Sequence, residues 1–352
     1  MNRGNPMQNL KLSSSTAALA LMIAGGLLLA PDPAFAADKV VIKLGTLAPE
    51  GSEWHDALVK IGQRWKAASE GNVELKIYPG GVAGDEGDMV RKIRIGQLHA
   101  ATITGIGLGT IHRSTIALQV PMMIQSWEEL DYIRTKLGPE MEKELEAAGF
   151  VVNSWGDAGW VHFFSTKPAK TPDDLRPMKL FVWTGDPEAE RVWRHSKFTP
   201  IALASTEVLP ALQTGMVEAF QTAPLFALTS QWYKSAKNMV KINWTPLNGA
   251  TIVSKKQWEK IDPKYRPELL KISREEGDTL KLAVRQMSDK AIDSMVERGL
   301  VVTIPDAATI ELWRKTAELA YPEVRGKVVP EHYFDEVQRL AKEYRATGGK
   351  TP

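Results

Sequence analysis

The chain has 352 residues, no cysteine and a formal net charge of +2, with acidic and basic side chains interspersed. Disulfides, thiolate nucleophiles and cysteine metal sites are therefore excluded. Nucleic acid, whose binding needs a clustered basic surface, is not an expected partner, and a chain of this length suits two lobes of ordinary size.

At the N-terminus, Arg3 and Lys11 precede an apolar stretch from Thr16 to Ala30, and a proline-broken segment ends in Ala34-Phe35-Ala36. This is the pattern of a secretory signal with a small-x-small cleavage site, so residues 1–36 are expected to be removed and the mature chain to start near Ala37. The apolar stretch is shorter than the roughly 18 to 20 residues of a spanning helix. Without Arg3, Lys11 and Asp32 the net charge falls to near +1. An exported chain without disulfides must rely on its core, and the periplasm is its expected location.

From Val40 the pattern alternates. "VVIKLGTLA" reads as a strand, and Ser52 can cap a helix whose apolar residues Trp54, Leu58, Ile61 and Trp65 share one face before Gly71 ends it. "VELKIYPGG" is a second strand, Asp85 to Ile95 a short helix stopped by Gly96, and "LHAATIT" a third strand running into a glycine-rich loop, "GIGLG". Trp127 to Ala148 is a long charged helix, and "FVVNSW", "VHFFST" and "KLFVW" are strands. In "KLFVW", Phe181 and Trp183 project from one face and Leu180 and Val182 from the other. A helix from Pro187, the strand "PIALA", helices at Ser205–Gly215 and Pro224–Ala236, and the strand "GATIVS" follow. From Pro263 the chain is largely helical, with a run to Arg298 long enough to bridge two lobes. The expected fold class is α/β, in two lobes, each a mostly parallel sheet flanked by helices. The expected division is 37–158 plus about 249–290 for one lobe, and 159–248 plus about 291–352 for the other. Ligands of such sheets bind where strand carboxyl ends meet a crevice.

Enzyme signatures do not accumulate. "GIGLG" lacks both the GxGxxG spacing and the Gly-Lys-Ser/Thr of a phosphate loop. The six histidines, at 55, 99, 112, 162, 195 and 332, form no i,i+4 pair and no HExxH, so no metal site is expected. His162, on an apolar strand, reads as a core histidine. GxSxG is absent, and the carboxylates of "EMEKELEAA" read as a solvated helix face. Acids in "GDEGD" sit at a loop-to-helix junction, where capping competes with a place in the crevice. No catalytic residue and no cofactor is expected.

The runs "LGTLAPEGSEWHDALVKIGQRWKAASEGNVELKIYPGGVAGDEGDMVRKIRIGQLHAA", "KTPDDLRPMKL" and "STEVLPALQTGMVEAF" resemble the solute-binding component of TRAP transporters, the DctP family, over essentially the whole mature chain. The resemblance implies a periplasmic binding protein of type II-like architecture, mostly monomeric, whose long C-terminal helix bridges the lobes. It would close on a small solute and deliver it to the small and large membrane subunits of an ion-gradient-driven permease. Carboxylate-binding members carry two arginines, one after a glycine-aromatic pair and one in a "K-I-R-V" strand. In "GWVHFF" and "KLFVW" those positions hold Val161 and Phe181. An arginine fork grips a carboxylate bidentately, whereas Val and Phe would leave it desolvated and unpaired. The solute is therefore expected to be apolar or aromatic. Trp54, Trp160, Val161, Phe181, Trp183, Phe220, Trp232 and Trp244 are the expected walls, Thr104, Gln221 and Thr222 orient the polar part, and Glu86 meets a donor. The alternatives are a periplasmic ligand sensor, or a binder of a cationic or carboxylate solute through non-standard residues.

Overall fold

The computed structural model describes residues 39–184 and 186–348; the expected signal segment lies outside the described residues. In chain order the elements are β1 (Val40–Thr46), α1 (Glu53–Ala68), β2 (Val73–Tyr78), α2 (Glu86–Arg94), β3 (Ala100–Thr104), α3 (Gly105–Gly109) and α4 (Trp127–Ala147). Then come β4 (Phe150–Trp160), β5 (His162–Ser165), α5 (Pro172–Leu175), β6 (Lys179–Trp183), α6 (Pro187–His195), β7 (Thr199–Leu203), α7 (Val208–Thr214), β8 (Ala219–Thr222) and α8 (Pro224–Thr229). The chain ends with β9 (Asn238–Val240), β10 (Pro246–Ser254), α9 (Lys255–Trp258), α10 (Arg266–Val296), β11 (Val301–Thr303), α11 (Ala307–Val324) and α12 (Glu331–Ala346).

Local chemistry sets these boundaries. Ser52 accepts from His55 N at the start of α1, and the helix buries the four residues that the spacing predicts, Trp54, Leu58, Ile61 and Trp65. Asp85 accepts from Glu86 N to start α2, and Gly215 ends α7 in the left-handed region at φ 71°. "GIGLG" differs from the expected loop: it forms the short helix α3, capped by Thr104. Its glycines serve close approach. A Cβ on Gly105 would lie 2.0 Å from Gln119 Nε2, and one on Gly107 would lie 2.7 Å from Glu86 Oε2.

Two sheets result, β2-β1-β3-β10-β4 and β11-β9-β5-β8-β6-β7. In the first, β1 runs parallel to β2 and β3, while β10 is antiparallel to β3 and β4. In the second, β6 is parallel to β7 and β8, β11 is parallel to β9, and β5 is antiparallel to β8 and β9. Both sheets are thus mixed, where mostly parallel ones were expected. The cause is how the chain crosses between them. A single residue, Val161, separates β4 from β5, and the chain returns through Trp244 and Thr245 into β10. The two crossings pair with each other, Val161 N to Thr245 O at 2.9 Å and Trp244 N to Val161 O at 3.0 Å. No room exists for a helical crossover there, so the strands that carry the chain across must pair antiparallel.

The 31-residue helix α10 bridges the two sheets. At one end Trp65 Nε1 of α1 donates to Leu269 O at 3.0 Å and Ser273 Oγ at 3.1 Å. Further along, Val284 and Ala291 share a cluster with Trp54 of α1 and Leu225 of α8. α12, from the stretch expected with the second lobe, packs against α4, from the stretch expected with the first, through Tyr132 and Tyr344, whose rings lie 5.4 Å apart. No helix among the described residues is long and apolar enough to cross a membrane.

Charge is buried where β4, α4 and α10 meet. Asp157 has a side chain with no solvent exposure; it accepts from Arg134 Nη2 at 2.9 Å and from Arg285 Nε at 2.8 Å. Arg285 also donates to both Asp131 oxygens, at 2.6 and 2.8 Å, with its guanidinium 4.5 Å from the Trp127 ring centroid. Removing one partner strands the others in a low-dielectric interior. Arg285→Met is expected to destabilise the protein by about 3–5 kcal/mol, read as a lowered urea midpoint; a loss under about 1 kcal/mol, the range of exposed pairs, would show that the network carries little.

Candidate functional site

The carboxyl ends of β1, β3, β6 and β8 turn toward a cleft between the two sheets. An open cavity lies there, bounded by Thr46, Thr104 and Gly249 of the first sheet, Trp54 of α1, and Gly277 and Leu280 of α10. Trp183, Thr222 and Phe226 close it from the second sheet's side. Gly249 is needed at this wall, because a Cβ there would meet Ile103 O at 2.2 Å. A second cavity, about 1140 Å3, adjoins the first: Trp183 and Leu247 line both. Its walls are largely aromatic and aliphatic, including Val161, Val182, Trp193, Phe198 and Trp244, with the Trp193 and Trp244 rings stacked at 5.9 Å.

Of the expected ligand residues, Trp54, Glu86, Thr104, Trp183 and Thr222 line the first cavity, and Val161, Trp183, Gln221 and Trp244 the second. Trp160, Phe181, Phe220 and Trp232 line neither. Trp160 packs on Trp127, ring centroids 4.9 Å apart, and Phe220 stacks on Phe164 at 4.9 Å. Phe181 is fully buried, 4.8 Å from the Trp183 ring and edge-on to Trp232 at 5.9 Å. Alternation along β6 places Phe181 and Trp183 in one cluster, as the sequence indicates, and turns Val182 to the second cavity. The face carrying Phe181 is roofed by α7, α8 and the Trp232 turn, so only Trp183, at the strand's end, emerges into open space. Phe181→Arg is therefore expected to bury an unpaired guanidinium among aromatic rings. A melting temperature lowered by 10 °C or more, with no gain of carboxylate binding, is the expected result; a stable variant that binds succinate would place this side chain in the cleft instead.

Glu86 stands at the junction of capping and cleft. Its Oε1 accepts from Thr104 N at 2.8 Å, and its Oε2 from Thr104 Oγ1 at 2.8 Å and Gly107 N at 2.9 Å. Burial pushes its carboxyl up to about 7, and these hydrogen bonds oppose the shift without cancelling it. Its first task is thus to hold the end of β3 and the start of α3 at the cavity wall. The remaining acids of the cavities are engaged as well: Asp157 by Arg134 and Arg285, Glu276 by Lys60 and Arg64, and Asp186 by Arg113. Among the described residues no Lys, Arg or His lines either cavity. His162 is buried beside the cleft, with Nδ1–H donating to Ile242 O at 2.8 Å, and burial pushes its imidazole down to about 4. Sequence reasoning missed Asp157, Arg134 and Arg285, and also Phe226 and Leu280. Among the described residues no group of His, Asp and Glu is arranged to hold a metal ion.

A carboxyl raised in the fold binds its proton more tightly there than in the unfolded chain. Between about pH 4.5 and 7 the folded state keeps the Glu86 proton while the unfolded state loses it, so this contribution to stability falls as pH rises, by roughly 3 kcal/mol across the window. His162 acts in the opposite sense: held neutral, it costs stability as pH falls from 6.5 toward 4. Comparison with Glu86→Gln separates the two. Urea midpoints of the wild type should fall between pH 5 and pH 8 relative to those of the variant; parallel profiles would show that Glu86 titrates alike in both states.

The sequence profile of the family described as "Bacterial extracellular solute-binding protein, family 7" (DctP) matches residues 44–327. A solute-binding protein of Roseobacter denitrificans is 28% identical over 214 residues, 60% of this chain and 65% of that protein's length. The sialic acid-binding periplasmic protein SiaP of Vibrio cholerae is 22% identical over 82% of this chain and 89% of its own. Among solved structures, a TRAP periplasmic solute-binding protein of Ralstonia eutropha, holding (S)-2-acetolactate, superposes with a TM-score of 0.81 at 21% identity, covering 87% of this chain and 99% of its own. With two α/β lobes joined by paired crossings and a profile match over residues 44–327, the chain belongs to the DctP family of bacterial extracellular solute-binding proteins, a family of non-enzymatic ligand-binding proteins.

Proposed function

We propose that the protein works in the periplasm, captures a small, uncharged, largely apolar or aromatic solute between its lobes, and delivers it to the small and large membrane subunits of an ion-gradient-driven TRAP permease. The observation that carries the solute class is the lining of the two cavities: aromatic and aliphatic walls without one cationic side chain. Val161 and Phe181 occupy the positions where the resemblance implies arginines; the first lines the second cavity and the second is core. A carboxylate moved into this cleft would lose its hydration with no guanidinium to replace it, a penalty of several kcal/mol. SiaP of Vibrio cholerae is named for sialic acid and the Ralstonia eutropha protein holds acetolactate, both acids. At about one residue in five identical, these relatives share the fold while the side chains that select the solute are free to differ.

A cationic solute has less support. Each acid facing the cavities already accepts from an arginine, a lysine or backbone N–H groups, so a cage would need one of those partners to leave.

Native mass spectrometry of freshly purified, undialysed protein tests the solute directly, and a retained neutral mass is expected. In thermal-shift assays, neutral aromatic compounds should raise the melting temperature while succinate and hexuronates leave it unchanged. Val161→Arg, which places a guanidinium in the second cavity, should gain a succinate-dependent shift that the wild type lacks. A sugar acid or dicarboxylate retained by the wild type would overturn the solute class and leave the transport role standing.

A further inference from the structure

Among the described residues eight buried side-chain polar atoms have no hydrogen-bond partner, and four of them belong to residues that line the two cavities: Trp183 Nε1, Gln221 Oε1, Thr222 Oγ1 and Thr245 Oγ1. Thr222 is 1% exposed and Thr245 8%. Leaving such an atom unpaired costs about 1–3 kcal/mol, and folded proteins pair the large majority of them. Here they cluster. Trp183 closes β6, Gln221 and Thr222 close β8, and Thr245 lies on the crossing just before β10.

Their distribution over the cavities follows from strand geometry. Gln221 and Thr222 are consecutive on β8 and so face opposite ways: Thr222 lines the first cavity and Gln221 the second. Thr245 lines the second, and Trp183 lines both. A single molecule lying over the carboxyl ends of β6 and β8 would meet all four, in the crevice where open α/β sheets receive ligands.

The donor and acceptor inventory narrows the chemistry. An indole N–H donates only, so the ligand atom at Trp183 must accept; threonine hydroxyls do either, and the unpaired Gln221 Oε1 accepts, so the ligand atom there must donate. With no cation lining either cavity, that acceptor is best left uncharged. Resting on the uncharged-solute reading above, we infer that the solute is a neutral carbonyl compound with its own N–H or O–H donor, a carboxamide being the simplest. Its carbonyl accepts from Trp183 Nε1, its donor meets Gln221, Thr222 or Thr245, and its apolar part fills the space beside Trp193, Phe198 and Trp244. The unpaired atoms in the ligand-free chain are then a stability cost that binding removes.

Three probes with the same ring system separate the possibilities: naphthamide, naphthoate and methylnaphthalene, compared by calorimetry and thermal shift on the intact mature protein. Naphthamide is expected to bind at least tenfold tighter than either of the others. Trp183→Phe and Thr245→Val should each weaken naphthamide by about three- to tenfold, the worth of one hydrogen bond, and the near-isosteric Thr245→Val should leave methylnaphthalene unchanged. Because Thr245→Val deletes an unpaired buried hydroxyl at nearly constant volume, it should not lower the melting temperature of the ligand-free protein, and Trp183→Phe, which also trims a packed ring, should lower it by less than 5 °C. Equal binding of naphthamide and methylnaphthalene would overturn this inference while the apolar-solute reading stands. Tightest binding of naphthoate, or no binding of any probe, would overturn both. A melting temperature lowered by more than 5 °C in both variants would show that these atoms hold the fold, and would also overturn the inference.

Discussion

Arg285 reaching Asp157 is the contact on which the two-lobed arrangement depends. Asp157 sits on β4 shortly before the chain leaves the first sheet, and its carboxylate is held from α10 by Arg285 and from α4 by Arg134. Its backbone carbonyl faces Trp54 Nε1 at 3.4 Å, so the first helix is tied to the same residue. Helix α10 is thereby fixed against the strand that becomes the crossing, and the cavity wall formed by Asp157, Trp54 and Leu280 is set by one charged junction. A buried ion pair contributes little net stability compared with apolar packing of the same volume. What it supplies is register: a guanidinium forked across two carboxylates and stacked on Trp127 has few alternative positions.

The polar contacts that join the two sides of the cleft are of another kind. Asp85, which caps α2 on the first side, also accepts from Ser205 N and Ser205 Oγ on the second, both at 3.0 Å. Arg113 reaches Asp186, which caps α6, at 3.1 Å. Water can replace such hydrogen bonds when the lobes part, at small net cost. The apolar lining of the cleft cannot be compensated in that way. On the reading proposed above, a solute covering that lining would favour closure of the lobes.

Much of the fold was legible because it is local. The apolar spacing of α1, the caps at Ser52 and Asp85, the left-handed Gly215 and the strands β1 to β3 all follow from residues within one or two turns of each other. The illegible parts are long-range. Asp157 and Arg285 are 128 positions apart, and nothing near either one marks its partner. The "GIGLG" glycines look like loop residues until Gln119 and Glu86 are known to press against them. The antiparallel pairs arise from the crossing at Val161, which is visible only once the two sheets are separate bodies. Phe181 is the most instructive case. Alternation correctly grouped it with Trp183, but which of two equivalent strand faces is roofed depends on α7 and α8, whose docking no pattern within β6 records.

On the uncharged-solute reading, Phe181 and Val161 show two ways in which a strand position without an arginine can be filled. If an arginine is lost from a core-facing strand position, the vacancy can be packed shut by an aromatic ring, as the cluster of Phe181, Trp183, Phe220 and Trp232 is. At a cavity-facing position the same loss leaves an apolar wall, as at Val161. On that reading the strand-end groups, an indole N–H, an amide and two hydroxyls, would be the main polar determinants of binding. Each is weaker than a guanidinium fork, but none must be stripped of a charge's hydration before it can pair. On the proposed reading, a cleft of this composition would gain selectivity from the geometry of neutral hydrogen bonds and affinity from apolar area, the combination that suits a poorly hydrated solute.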